Sequence, residues 1–157
     1  MSSFPPSATV INGASFRLGL AAAGYNPRLV DALLAQVLAG WRAAGVREKN
    51  VTIVRVPGSH ELPVAVQLLA DASRYDCLVA LGVLIGGDTS HHQLVGTSVS
   101  HALQTVALAT RVPVINGVIV ADTAAQARAR CTGRIARGAE FAAAALAMAA
   151  LKRTLSR

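Results

Sequence analysis

The segment Gly86-Gly87-Asp88-Thr89-Ser90-His91-His92 gathers residue types that chemistry often uses. Two glycines let a backbone approach a ligand closely. Thr89 and Ser90 stand where a helix is expected to start, and the free N–H groups of a helix N-terminus favour an anion such as phosphate. A plain glycine turn followed by a Thr or Ser cap reads equally well from the loop alone. Asp88 opposes an anion here, because it brings a like charge. His91 follows in the first helical turn. Imidazole is a side chain that can both accept and donate protons in catalysis. His92 points roughly 100° away around the same helix, so the two rings cannot face one substrate. His101, about three turns further on, reads as a helix-face residue. Adjacent histidines lack the i,i+3 or i,i+4 spacing of a helical metal pair.

A phosphate needs a counter-charge, and Arg128, Arg130, Arg134 and Arg137 form a basic cluster. Arg130 and Arg134 are spaced to share a helix face. Arg128 and Arg137 read as solvated charge. Glu61 opens another helix, where the dipole favours a carboxylate. It serves either the helix start or recognition of a polar ligand.

The elements that must hold these residues alternate short apolar runs with longer periodic stretches. Phe16–Ala22, the β-branched Val51–Val56, the continuous run Cys77–Ile85 and Val112–Val120 are apolar runs that do not alternate, the pattern of strands covered on both faces. Pro27–Ala44 places Leu29, Leu33, Leu34, Val37, Leu38 and Trp41 on one stripe and exits at Gly45. Glu61–Ala72 carries Leu62, Val66, Leu69 and Ala70, and Ser90–Thr110 is a long helix. Asp122–Thr123 caps a shorter one to about Cys131. The Ala-rich stretch Ala139–Leu155 bears Phe141, Leu146, Met148 and Leu151.

This order predicts an α/β fold: a three-layer α/β/α sandwich around a four-stranded parallel sheet, in one domain over residues 1–157. Residues 1–8 are expected to be flexible. Thr9–Ile11 reads as a short extra strand that needs a partner, in its own sheet or a neighbour's. Ligands of such sheets bind beyond the carboxyl ends of the strands. That rule nominates Gly24–Asn26, Pro57–Glu61, Gly86–His92, and Asn116 with the segment after it.

Composition narrows the class. With 157 residues, 53% hydrophobic and 15% charged, the chain can bury a core and is not of the disordered type. The apolar runs stop at nine residues, against the ~20 of a spanning helix, so no membrane segment is expected. Net charge is +7, and thirteen of the fifteen basic residues are Arg, mostly scattered singly. Three Phe, two Tyr and one Trp do not furnish a stacking platform, which argues against nucleic acid. Two cysteines without a CxxC indicate neither a disulfide framework nor a zinc site. Met1–Ala8 lacks the pattern of a signal peptide, and a soluble, cytoplasmic protein is the expectation.

At these residues the sequence resembles the 6,7-dimethyl-8-ribityllumazine synthase family of riboflavin biosynthesis, from about Phe16 to Leu151. The resemblance rests on five blocks: Val56-Pro-Gly-Ser-His-Glu-Leu-Pro63, Tyr75-Asp-Cys-Leu-Val-Ala-Leu-Gly82, Thr89-x-His91, Val112-Pro-Val-Ile-x-Gly117 and Arg137-Gly-Ala-Glu140. It implies a flavodoxin-like fold and the condensation of 5-amino-6-(D-ribitylamino)uracil with 3,4-dihydroxy-2-butanone 4-phosphate, with no cofactor and no metal. It implies His91 as catalytic acid/base, Asp88, Thr89 and Arg130 at the phosphate, and Tyr25 stacked on the pyrimidine. Ser59, His60 and Glu61 would line the uracil and ribityl chain, and Val83, Leu84 and Ile85 the ring. Asn116 would reach into a neighbouring subunit's site, within pentamers or a 60-subunit icosahedral shell.

The chain also departs from the family pattern. The family usually has an aromatic at the positions of His60, His92 and Asn116. It usually has an Arg or Lys in place of Gly86, an Arg in place of Gly24, a small residue in place of Asp88 and an acidic one in place of Gln93. Each lost ring costs roughly 1–3 kcal/mol of stacking by analogy with base–aromatic contacts. Two readings follow: a working synthase, or a diverged paralogue that binds a flavin-type ligand or serves as a shell protein.

Overall fold

Four apolar runs become the strands of one sheet in the computed structural model of the chain, which describes residues 10–72, 74–135 and 137–156. They are β1 (Leu18–Ala23), β2 (Val51–Val56), β3 (Cys77–Ile85) and β4 (Val114–Ala121). Every neighbouring pair is parallel, in the order β2-β1-β3-β4. These are the first four places of the flavodoxin-like order, whose ligand crevice opens between β1 and β3. The fourth run loses its first two residues because Pro113 has no N–H to give the ladder. Its carbonyl still accepts from the Leu78 N–H at 2.8 Å.

Five helices cover the sheet: α1 (Pro27–Ala43), α2 (Leu62–Asp71), α3 (His91–Thr110), α4 (Ala124–Cys131) and α5 (Arg137–Leu155). On one face α1, α4 and α5 pack Leu33, Val37, Trp41, Ala127 and Ala145 onto Leu18, Leu20, Leu81 and Val83. On the other, α2 and α3 pack Leu62, Val66, Val99 and Leu103 onto Ala21, Ala23, Leu78 and Ala80. All six β1 residues are buried, as a central strand covered on both faces requires. The edge strand β2 has no fully buried residue, and β4 buries only Gly117, Ile119 and Ala121.

The elements start and stop for local reasons. Pro27 occupies the first turn of α1, where a missing N–H is harmless. The helix ends before Gly45, whose φ of 81° suits glycine. In α3 the stop is Arg111, left-handed at φ 59°, two residues before Pro113. Thr123 caps α4 by accepting from the Gln126 N–H at 3.2 Å.

Three expectations need correction. Helix α5 packs through Gly138, Ala142, Ala145, Leu146 and Ala149, while Met148 and Leu151 are exposed. Small side chains let the helix approach α1 closely, which an apolar count by size overlooks. Helix α4 ends at Cys131, so Arg134 lies in the turn beyond it and shares no helix face with Arg130. Of the two partners expected for Thr9–Ile11, its own sheet is not the one: Val10 and Ile11 pair with none of its strands, Ile11 packs on the core and Val10 is exposed. Thr9 lies outside the described residues, as do residues 1–8 expected to be flexible.

Candidate active site

The carboxyl ends of the four strands do not finish level. Ala22 of β1 pairs with Leu81, whereas β3 runs on and pairs Ile85 with Ala121 of β4. Val83, Leu84 and Ile85 therefore stand above the end of β1 as a wall about 10 Å long at ~3.3 Å per residue. Gly24–Tyr25–Asn26 and Pro57–Gly58 form the lower step beside it.

Tyr25 and Glu61 meet at Gly58. A Cβ there would sit 3.0 Å from Glu61 Oε2 and 3.3 Å from Tyr25 Cδ2. Only glycine leaves room for both side chains. The Tyr25 ring is 72% exposed, and His60 and Glu61 are exposed as well. The Gly24 N–H donates to Val56 O at 2.9 Å, which ties the first step to the second. Asn26 adopts φ 54° and donates from Nδ2 to Val83 O at 2.9 Å, fastening the step to the wall. An aromatic face, a carboxylate and an apolar wall thus surround an open ledge that suits a flat polar ring.

Two residues of the expected set face elsewhere. Ser59 is buried, with Oγ against Gly82 and no hydrogen-bond partner, so it fills the space under the ledge. Val83 is also buried and offers the ledge backbone only, its carbonyl already taken by Asn26. Leu84 and Ile85 are half-buried.

The loop Gly86–Ser90 leaves the top of the wall and enters α3 at His91. Asp88, Thr89, Ser90 and His91 are all exposed, and a Cβ at Gly87 would meet nothing within 4 Å. The free N–H groups of the first α3 turn point at the same end of the sheet. Helix α3 contains no Asp, Glu, Lys or Arg, so its dipole meets no side-chain charge of its own. Arg130, half-buried on α4, supplies a guanidinium, and its Nη1 donates to Gln126 O at 3.1 Å. Asp88 thus sets a carboxylate beside the start of α3, and Arg130 sets a guanidinium on α4, the helix that follows β4.

His92 turns inward from its neighbour. Its side chain is 10% exposed and its Nε2 lies 3.2 Å from Asp122 Oδ1. Thr123 is the cap of α4, and Asp122 is free to serve this other purpose. The sequence offers Asp122 only as a helix cap and gives no sign of Gln126, because the pairing with His92 spans 30 positions. Asn116 is not in a loop after β4 but inside the strand, paired in register with Ala80. It lies five residues before the strand's end, about 16 Å away at ~3.3 Å per residue. Its side chain is exposed on the sheet's open edge and accepts from the Val118 N–H at 3.1 Å.

Both thiols are buried and inert. Burial pushes Cys77 up to about 12 and Cys131 up to about 11. Among the described residues no three His, Cys, Asp or Glu side chains come together as a metal-binding group.

Comparison of the sequence with known proteins identifies a family. The model of the family described as 6,7-dimethyl-8-ribityllumazine synthase covers residues 15–153. A relative of that name from Saccharopolyspora erythraea is 44% identical over 96% of this chain and 90% of its own length. One from Halorhodospira halophila is 41% identical over 88% of this chain and 90% of its own. One from Thermococcus gammatolerans is 38% identical over 91% and 92%. With the match spanning all four strands and every loop at their carboxyl ends, the chain belongs to the 6,7-dimethyl-8-ribityllumazine synthase family.

Proposed function

We propose that the chain is a 6,7-dimethyl-8-ribityllumazine synthase, a transferase of riboflavin biosynthesis. The observation that carries the reading is the family match over residues 15–153, supported by the meeting of Tyr25 and Glu61 at Gly58 and by the start of α3 at His91 beyond the carboxyl end of β3. The relatives named above are all synthases, which favours the enzyme over a ligand-binding paralogue or a shell without activity.

The pyrimidine lies on the ledge against Tyr25 and below Leu84 and Ile85. His60 and Glu61 meet its polar edge and the ribityl hydroxyls. The 5-amino group attacks the ketone carbon of 3,4-dihydroxy-2-butanone 4-phosphate, and loss of water gives an imine. Removal of a proton from the adjacent carbon lets the C–O bond to phosphate break, and inorganic phosphate leaves. The resulting enol returns to a ketone. The ribityl-bearing nitrogen closes the ring on that carbonyl, with loss of a second water.

His91, exposed at the start of α3, accepts and returns the protons of these steps. Thr89 and Arg130 hold the phosphate and stabilise the charge that grows on it as it leaves. Asp88 works against that grip.

The synthase acts in the cytoplasm as a self-associated assembly, a pentamer or twelve pentamers in a shell. The α2 and α3 surfaces support self-association. Val64, Leu68, Leu94 and Leu108 are each at least 65% exposed on helices where a lone chain would favour polar residues. A groove of about 520 Å³ lies along α3 and β4, lined by Gly96, Thr97, Ser100 and Val120. A second, of about 560 Å³, lies at the opposite edge between α1 and β2, lined by Leu38, Trp41, Val51 and Ile53. It suits an added strand such as a neighbour's Thr9–Ile11. Asn116, on the open β4 edge, is set to face a neighbour's ledge.

Mixing the two substrates and following lumazine absorbance tests the reaction. The expected outcome is product from the parent protein and a rate about 10²–10⁴-fold lower in His91→Ala. Absence of product from the parent, or an unchanged rate in the variant, overturns the reading.

A further inference from the structure

Asp122 holds both ends of the loop that carries Asp88, Thr89 and Ser90. At the near end, Gly86 packs on its backbone so tightly that a Cβ would come 2.6 Å from Asp122 O. The Gly86 N–H donates to the adjoining Ala121 O at 2.8 Å. At the far end, His92 meets the Asp122 carboxylate at 3.2 Å. The same residue faces α4 as well. Its N–H donates to Gln126 Oε1 at 2.9 Å, and Gln126 O accepts from Arg130 Nη1 at 3.1 Å. Three separate hydrogen bonds, joined through the covalent frames of Asp122 and Gln126, therefore connect His92 to Arg130. They link the start of α3 to the guanidinium across 38 positions of sequence.

His92 is an expensive choice for this buried position unless the bond matters. Its Nδ1 is buried without a partner, a cost that an apolar ring of similar size would avoid. Asp122, in contrast, is 68% exposed and would be solvated without help. The histidine gains the directional bond, in which Nε2–H donates to the carboxylate. That fixes the tautomer and holds the imidazole in one orientation.

We propose that His92 is a positioning residue: through Asp122 and Gln126 it holds Thr89 and His91 in register with Arg130, and so sets the grip on the phosphate ester. The ring stands one residue from His91 but touches no substrate. This inference rests on the assignment of Thr89, His91 and Arg130 made above. In a site where Asp88 repels the ligand and Gly86 supplies no charge, the spacing of the remaining groups bears more of the binding.

Parent, His92→Phe, Asp122→Ala and Asp122→Asn proteins separate this role from a general structural one. The readouts are KM for each substrate, inhibition by inorganic phosphate, and melting temperature. Phe fills the volume without the bond, and Asn keeps an acceptor at Oδ1. H92F and D122A should raise KM for the phosphate ester and the inhibition constant of phosphate about tenfold, the loss of one charge-assisted hydrogen bond. KM for the pyrimidine should stay unchanged, and D122N should recover most of the loss.

Equal rises in both KM values, or no change in H92F and D122A, would overturn the proposal. If the parent makes no lumazine, the enzymatic reading fails separately. Calorimetric titration with inorganic phosphate then decides the clamp. Weaker binding in H92F and D122A with recovery in D122N supports it. Equal binding in all four proteins, or no binding by the parent, rejects it.

Discussion

His91 and His92 are neighbours of the same type with opposite fates. A helix turns roughly 100° per residue, so one ring stays in solvent at the strand end while the next is carried into the fold. That divergence is legible in the sequence, and so is the rule that sends His91 to the carboxyl edge. The partner of His92 is not legible, because Asp122 reaches it only through the β3–β4 pairing.

Asp88 gives a residue-scale prediction of its own. Removing an exposed like charge is worth up to about 1 kcal/mol. Asp88→Ser should therefore lower KM for the phosphate ester, by up to about fivefold, in steady-state kinetics at low salt. A higher KM would mean that the carboxylate assists binding.

The thiols set a pH window. Cys77 and Cys131 have an ordinary value of 9.0 when unfolded and about 12 and about 11 when folded. Raised folded values favour the neutral thiol, so their contribution is complete below pH 9 and declines as pH rises through the folded values. Urea midpoints should fall above pH 9, and less steeply in a Cys77→Ala background. Alkylation at pH 8 should require unfolding.

At the scale of elements, small residues and clasps hold the helices where the site needs them. Gln36 on α1 donates to Cys131 O at the end of α4 and accepts from the Gly138 N–H at the start of α5. One side chain thus bridges the turn that contains Arg134. Arg137, read from sequence as solvated, is half-buried and pairs with Glu140.

The end of the sheet away from the site has its own clasp. Arg153 of α5 donates to both Asp76 oxygens at 2.7 Å, to Ser15, and stacks 4.9 Å from the Phe16 ring centroid. This joins the last helix to the entries of β1 and β3. Arg153→Ala should cost about 1–3 kcal/mol of stability in urea unfolding, the range for lost charge-assisted hydrogen bonds. Activity per folded molecule should stay at the parent level. A drop in that specific activity would show that the clasp reaches the ledge. The boundaries of β2 and β3 are readable from apolar runs alone, whereas α5 is misread because its contacts are made by alanines.

For the whole molecule, the parallel sheet leaves two open edges and two charge-poor helices. No described helix is long and apolar enough to cross a membrane. The self-association proposed above would bury the exposed leucines and valines of α2 and α3. Light scattering or native mass spectrometry should give a multiple of five chains. A monomer at micromolar concentration would contradict a site shared between subunits.

What the amino-acid order determined by itself is local or periodic. It specifies which runs are covered strands, where helices start at Pro27 and Thr123, and which loops follow strand ends. Each depends on a few consecutive residues or on a repeat of 2 or 3.6. The five motif blocks added the family for the same reason, being short and ordered along the chain. Only the tertiary structure decided that β3 outruns β1 to make a wall, that Ser59 and Val83 face the core, that Asn116 sits within an edge strand, and that His92 reaches Arg130 through Asp122 and Gln126. Those facts arise from strand register and from contacts between residues dozens of positions apart. Both are set when whole elements pack, and no short window of sequence contains them.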